Sequence, residues 1–484
     1  MSLVIAGGLA LCDIDRGFER MDIRIEQDRI SEVATDIRPG PTDQVLDGSG
    51  RLVIPGLINA HTHSHNHLAK GAIDRMPLEI WLQYLAARVA GRTPRDIYVG
   101  AAIGAIEMAK TGTTCACEMA GLLPWPTDET IDAVAQAFVD VGLRVNLGVQ
   151  AVDLSLVESI DGLDHLLPPD LRESIGNQPR LPVNEVFEAL GRAAARWHGA
   201  EAGRVRVSVG PTIMTSCSDA FLERCAEFAA GNHVGIQTHL CETKLQADTA
   251  RARYGHSATE HLNTVGLLGV NTLLAHSIWI DDSEIDLIAE RGSTVAHNPV
   301  SNLKLGAGIA PLRRMLDRGC NVALGTDGSA SSDNQNLFGA LRQAAILHRV
   351  LDVDYMRWPA SADVVRMATL GGAHAAGFDG SIGRIAPGYI ADLTLLDRGS
   401  TYFHPANDLV AQLVHCEVGS SVVTVIVNGR VIVERGRMTT VDEQALLAEA
   451  DEIGLRIKDG LHATTRVARE LEPYLRQVYL NSAP

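Results

Sequence analysis

Hydrophobic and polar positions change rhythm three times along the chain. Short β-prone runs open it, at 3–5, 21–25 and 30–33, with turn residues between them at Gly7-Gly8, 13–16 and Gln27-Asp28. This predicts a small all-β unit. From residue 57 onward, nearly continuous apolar runs alternate with longer helical stretches. Strands are predicted at 57–63, 112–118, 144–152, 204–211, 234–240, 272–279, 293–298 and 320–326. Helices are predicted between them, among others over 95–110, 219–230 and 283–291, the last capped at Asp282-Ser283. Strands apolar on both faces belong to a parallel sheet covered by helices, and eight such units predict a closed barrel. Residues 153–203, with Pro168-Pro169 and two amphipathic stretches, predict a helical insertion between the third and fourth strands.

Near residue 380 the β rhythm returns, over 382–396 and 422–433. Asn428-Gly429 between two β-branched runs predicts a hairpin. Neither terminal β segment is large enough for its own core, so the two are expected to join. Residues 442–480 read as helical. The expected architecture is α/β: a (β/α)8 TIM-like barrel over 55–380, beside a small β-sandwich built from 1–54 and 381–484, the latter also carrying terminal helices.

Composition narrows the function more than the fold. Apolar residues make up 46% and charged residues 21% of the 484 positions, a globular balance. Lys and Arg number 42 against 59 Asp and Glu, a formal charge of −17 that argues against nucleic acid or an anionic membrane as partner. No run approaches the roughly 18 apolar residues of a spanning helix. The first six residues enter strand-like sequence without a basic leader, so a cytoplasmic location is expected. Of eight cysteines only Cys115 and Cys117 are close, in an alternating stretch over 113–118. They are expected to be small core residues with free thiols; a metal or redox role is the alternative.

The chemistry concentrates at predicted strand ends. His61-Thr62-His63 closes the first barrel strand, and residues two apart on a strand share a face. Two imidazoles at the C-terminal mouth of a barrel make half of a metal site. Chance clustering is the alternative, because His65 and His67 follow at once. The fifth strand ends near His239 and Glu242, the sixth at His276, the eighth at Asp327. A buried strand has no reason to end in an ionisable group unless water, metal or substrate meets it there.

These stretches resemble the amidohydrolase superfamily, in its cytosine-deaminase-like branch. They are Val53-Ile54-Pro55-Gly56-Leu57-Ile58-Asn59-Ala60-His61-Thr62-His63, Thr238-His239-Leu240-Cys241-Glu242-Thr243, Ala296-His297-Asn298-Pro299-Val300-Ser301-Asn302 and Gly325-Thr326-Asp327-Gly328. The nearest groups are the triazine amino- and chlorohydrolases and the S-adenosylhomocysteine/methylthioadenosine deaminases. The resemblance implies that His61, His63, His239 and Asp327 hold one divalent metal, zinc first and iron as the alternative. The fourth strand, 205–212, carries no lysine that could bridge a second metal. The metal would activate a water; Asp327 would take its proton, His276 would stabilise developing charge, and Glu242 would shuttle a proton to ring and leaving group. The other zinc deaminase signature, H-x-E with P-C-x-x-C, is absent.

The implied reaction is hydrolysis of a C–N bond on a small nitrogen heterocycle of purine, pterin, pyrimidine or triazine type. Alternatives are displacement of chloride or thiomethyl from a triazine, cleavage of a urea or carbamate, or a non-catalytic scaffold, which the intact ligand positions argue against. Candidate substrate contacts are Glu79, Trp81, Thr212, Trp279, His297 and Asn302. His65 and His67 are expected at the mouth. Adenosyl-substrate deaminases carry an acid directly before the tryptophan and a histidine after the proline ending the fourth strand. Here those places hold Ile80 and Thr212, which leaves a ribosyl substrate open. A homodimer or higher homo-oligomer is expected.

Overall fold

A computed structural model describes residues 2–177 and 181–482. Its central sheet has eight parallel strands: β1 (Leu57–Thr62), β2 (Thr113–Ala120), β3 (Arg144–Ala151), β4 (Val205–Pro211), β5 (Gly235–Leu240), β6 (Thr272–His276), β7 (Thr294–His297) and β8 (Asn321–Leu324). Each pairs with the next in chain order. The ring nearly closes, because the Asp327 N–H beyond β8 donates to the His61 carbonyl of β1 at 2.9 Å. Every residue of β1, β2, β6 and β7 is buried, which is why their sequences read as continuous apolar runs instead of alternating ones.

The predicted helices form between the strands, at Pro94–Lys110, Asp219–Asn232 and Asp282–Arg291. Thr93 and Asp96 make a capping box at the start of the first. The third is capped one residue earlier than predicted: the Asp281 side chain accepts from the Ser283 and Glu284 amides. Asp282 instead sits in the first turn, where its charge meets the helix dipole. The insertion after β3 holds short helical turns at Leu156–Ser159, Leu163–Leu166 and Pro169–Gly176, then the long helix Val183–Trp197. Residues 178–180 of that insertion lie outside the described residues.

The two chain ends meet in one nine-stranded, mostly antiparallel sheet. Its first strand, Ser2–Asp13, pairs in parallel with Gln44–Asp47 through residues 3–6 and with Arg51–Pro55 through Leu9 and Ala10, and its antiparallel pairing with Gly17–Glu26 shifts register between Ile5 and Gly8. Such shifts bend a strand. One bulged sheet therefore encloses the apolar core that two facing sheets were expected to share, including Ile5, Ile23, Ile25, Val53, Leu393 and Ile426. The predicted hairpin joins Val422–Val427 to Arg430–Glu434, with Asn428 (φ 54°) and Gly429 (φ 74°) both left-handed, as a type I′ turn requires. A single helix, Glu443–Ser482, closes the chain. It packs on the Leu78–Val89 helix, where Leu471 and Leu475 meet Ile80 and the Tyr84 hydroxyl donates to Glu472 at 2.6 Å.

Candidate metal centre and substrate cavity

The C-terminal ends of β1, β5, β6 and β8 bring four imidazoles and a carboxylate to one point. His61 Nε2 lies 3.6 Å and His63 Nε2 3.5 Å from Asp327 Oδ1. His239 Nε2 lies 3.3 Å from His63 Nε2. Donor atoms of His61, His63 and His239, and of His61, His276 and Asp327, fall within 4.8 Å of one another in each set.

The scaffold aims each group. His63 Nδ1 donates to the Met119 carbonyl and His239 Nδ1 to the Thr212 carbonyl, both at 2.5 Å. A carbonyl can only accept, so both rings carry their proton on Nδ1 and turn a bare Nε2 lone pair to the centre. His276 Nδ1 meets Asn302 Oδ1 at 2.8 Å. Asp327 Oδ1 accepts from the Gly328 amide at 2.7 Å, and the Asp327 carbonyl accepts from Gln335 Nε2 at 3.2 Å. The backbone is strained here. Cys241 (φ 42°), His276 (φ 73°), Ser277 (φ 49°) and Asp327 (φ 60°) are all left-handed, a conformation costing a non-glycine residue about 1–3 kcal/mol. Gly325 admits β1 at close range; a Cβ there would stand 2.9 Å from the His61 amide nitrogen and would overlap Asn298 Oδ1.

Burial sets the charges. It pushes the His61 imidazole well below its usual range, with His63, His239 and His276 adding to the effect. Burial and then the neighbouring His63 and His276 take His239 down to about 3, and burial also lowers His276. These rings are therefore neutral donors at neutral pH, as metal ligation requires. Burial alone would raise Asp327, but His63, His276, His239 and the Gly328 amide hold it below the ordinary carboxylate range. Glu242 behaves oppositely: burial, then the charges of Asp327 and Glu79, push it far up. This favours its protonated form, and its Oε2 lies 3.7 Å from His276 Nε2. The bare lone pairs of His63 and His239 face each other, and His61 Nε2 is buried without a partner. Such an arrangement repels itself unless a cation lies among the three. Three imidazoles and one carboxylate fit a divalent ion with a position left for water.

The other candidates separate. Trp81 and Thr212 line a cavity of ≈90 Å³ together with His63, His239, Glu242, His276 and Asp327. Trp81 Nε1 has no partner. Glu79 does not line that cavity: its Oε1 accepts from the Thr243 hydroxyl, and it borders a separate space of ≈50 Å³. Trp279 does not line that cavity either; its Nε1 donates to the Ala307 carbonyl at 2.7 Å. His297 is fully buried with Nε2 3.3 Å from His348 Nε2. Asn302 does not line that cavity; its Oδ1 meets His276 Nδ1. His65 and His67 are buried supports, not open mouth residues. His65 Nδ1 meets Glu118 Oε1 at 2.8 Å while its Nε2 accepts from the Gly121 amide at 3.2 Å, and His67 Nδ1 meets the Ser329 hydroxyl at 2.8 Å. Cys115 and Cys117 are buried free thiols in β2, with burial taking Cys115 up to about 12.

Sequence reasoning passed over Glu118, which also accepts from the Ser64 amide at 2.9 Å and so fixes the loop after β1. A carboxylate inside an apolar strand was the available signal. It passed over Asn66 and Gln150, which line the cavity, and Trp125, which lies between two prolines after β2 and lines an adjoining one.

Comparison with known proteins agrees with this geometry. The profile of the amidohydrolase family matches residues 52–432. A 5'-deoxyadenosine deaminase from Methanothermobacter thermautotrophicus is 36% identical over 436 residues, covering 90% of this chain and 94% of the relative. The crystal structure of an atrazine chlorohydrolase from Arthrobacter aurescens, complexed with zinc, superimposes with a TM-score of 0.85 at 28% identity, covering 93% of this chain and 100% of that one. An adenosine deaminase from Xanthomonas campestris with bound zinc superimposes with a TM-score of 0.82 at 27% identity, covering 94% and 98%.

Proposed function

The chain belongs to the amidohydrolase family, and from that premise we propose that it is a zinc-dependent aminohydrolase releasing ammonia or an amine from a ring carbon of a small nitrogen heterocycle. The observation that carries the reading is the convergence of three imidazole nitrogens, of His61, His63 and His239, on the Asp327 carboxylate. Zinc is favoured because the solved relatives hold it; iron suits the same donors. An amino-substituted purine leads among the rings because a relative 36% identical is a 5'-deoxyadenosine deaminase.

When bound, the metal supplies a water acidified to a pKa of about 7. The protein does the rest. Asp327 accepts a proton from the attacking water. His276, held by Asn302, turns Nε2 toward the same space and accepts a hydrogen bond from that water. Glu242, protonated and 3.7 Å from His276, gives its proton to the ring nitrogen beside the attacked carbon. The carbon gains oxygen and the C–N bond breaks; the proton held by Asp327 leaves on the amine, and the proton remaining on the new C–OH group returns to Glu242. A second reading keeps this machinery and expels chloride from a triazine, favoured by the match to the chlorohydrolase. The reading also takes the enzyme to be a cytoplasmic homo-oligomer. An exposed apolar stretch, Val350, Leu351, Val353, Tyr355 and Met356, is the surface an assembly would cover.

Metal analysis of the purified protein, followed by ammonia and chloride release on purines, pterins, pyrimidines and triazines, tests the reading. About one metal per chain and ammonia from an aminated ring are expected. A chelated sample that turns over at the native rate rejects it.

A further inference from the structure

Beside the cavity at Glu242 lies a larger one of ≈370 Å³. The two share Asn66, Leu82, Leu85, Gln150 and Thr212 as walls. A ring held against Glu242 therefore sends a substituent past these residues into the outer chamber. The chamber is walled by apolar side chains: Leu82, Leu85 and Val89 of the Leu78–Val89 helix, Leu122 and Trp125 after β2, and Leu156 of the insertion. Among the described residues, no Lys or Arg lines it.

The polar groups of the chamber are largely engaged. Among the described residues its one carboxylate, Asp153, accepts from the Ser218 amide at 2.8 Å and the Ser218 hydroxyl at 2.6 Å. The Thr212 hydroxyl donates to the Ala151 carbonyl at 3.3 Å. Glu79 is held by Thr243 outside the chamber, and Ile80 packs in the cluster that contains Leu163, Leu167 and Leu471. Polar groups open to a substituent sit on the shared wall, where Asn66 Oδ1 is unpartnered and the Gln150 amide lines both cavities; beyond that wall the lining is mostly apolar. A ribose would bring vicinal hydroxyls into this space, each costing about 1–3 kcal/mol if left unpaired. A charged tail would cost more. An alkyl or aryl group gains on entry.

We infer that the substrate's heterocycle carries an uncharged, apolar substituent seated in this chamber, and that Leu85, Trp125 and Leu156 select it against ribosyl and zwitterionic groups. The inference rests on the hydrolytic reading of the inner cavity and names the substrate class for it. The full-length zinc-loaded protein is titrated by calorimetry with aminopurines and aminotriazines bearing a cyclopentyl group, and with ribosyl and carboxyalkyl counterparts of the same rings. The cyclopentyl compound of at least one ring is expected to bind about tenfold more tightly than its ribosyl counterpart. Leu156→Asn, a substitution in a partly exposed wall, is expected to pull that ratio toward one. Ribosyl binding as tight or tighter, no preference on any ring, or a ratio unchanged in the variant overturns the inference. Ammonia and chloride release on the same compounds is read separately. Product from none of the rings rejects the hydrolytic function, while the affinity ratio still decides the substituent.

Discussion

The barrel buries charge at both ends, and treats it differently at each. At the N-terminal end, Arg144 of β3 reaches Asp392 of the terminal sheet through Nε at 3.0 Å and Nη2 at 3.3 Å. Nη2 also donates to Asn428 Oδ1 at 3.0 Å, Nη1 to the Gly203 carbonyl at 3.3 Å, and the guanidinium lies 4.8 Å from the Phe378 ring centre. The Asn428 amide completes Asp392 at 2.7 Å. Among the described residues, every side-chain nitrogen and oxygen of that pair has a partner. At the C-terminal mouth, His61 Nε2, Asn66 Oδ1 and Trp81 Nε1 are buried without partners, among backbone residues held left-handed. Satisfied burial holds two units of the molecule together; unsatisfied burial persists only where a ligand completes it. Mutation should therefore read out as lost activity at the mouth and as lost stability at the opposite end.

The sharpest break is Asp327→Asn. It removes a metal donor and the acceptor of the water proton together, so turnover should fall by more than the about 10⁴-fold that general acid–base loss alone can cause. The denaturation midpoint of the metal-free protein should stay near wild type or rise. Full activity in this variant removes Asp327 from the reaction. Glu242→Gln comes next. Metal content should hold while kcat falls by about 10²–10⁴-fold, and an unchanged kcat dismisses the proton-shuttle role.

At the other end, Asp392→Ala leaves the Arg144 guanidinium buried and unpaired, a change expected to cost about 3–5 kcal/mol. Activity per folded molecule should not move. Urea unfolding and active-site titration measure the two separately, and a loss of kcat without loss of stability would contradict the division of labour. Arg144→Met combined with Asp392→Leu should recover most of the stability, because the uncompensated charge is gone.

Acid should attack the mouth side before it touches that pair. Burial takes His67 down to about 3 and His348 down to about 4. Both are neutral in the fold and take up protons at about pH 6.5 when unfolded. Their folded values lie below their unfolded ones, so the unfolded chain binds more protons as pH falls. Stability is full above about pH 6.5 and drops by about 1.4 kcal/mol per pH unit for each ring down to about pH 4. Urea midpoints of metal-free protein at pH 7.5 and pH 5 check this, and His348→Gln should flatten the slope.

The same division explains what could be read from the chain. All eight barrel strands were legible, because a strand buried on both faces writes itself as an apolar run such as Thr272–His276. So were His61, His63, His239, His276 and Asp327, because each ends such a run with a group that burial penalises. The single bulged terminal sheet was not legible, since alternation gives the faces of a strand and not its neighbours. Nor were the packing partners of Glu79, Trp279 and His65. Each is an ordinary polar or aromatic position in one dimension, and only packing turns Glu79 to Thr243, Trp279 to Ala307 and His65 to Glu118. The carbonyls of Met119 and Thr212 that set two tautomers leave no mark in side-chain chemistry at all.

The smallest effect lies between the two extremes. Asn302 touches neither the reacting atoms nor the hydrophobic core; its Oδ1 meets His276 Nδ1 at 2.8 Å, and its own Nδ2 is buried without a partner. Asn302→Ala frees the His276 ring to turn and lets the second tautomer compete, which should lower kcat by about tenfold, in the range seen when groups orienting a site histidine are lost. Removing an unsatisfied amide should leave stability within about 1 kcal/mol of wild type. Asn302→Asp supplies the discriminating readout. A carboxylate still accepts from Nδ1, so orientation returns, but its charge favours the protonated ring. The acid limb of the pH–kcat profile should therefore move upward in Asn302→Asp and downward in Asn302→Ala, which loses a bond that raises the ring. Equal profiles in the two variants would make Asn302 a packing residue and leave His276 oriented by Asn298 Nδ2, which stands 3.5 Å from the same nitrogen.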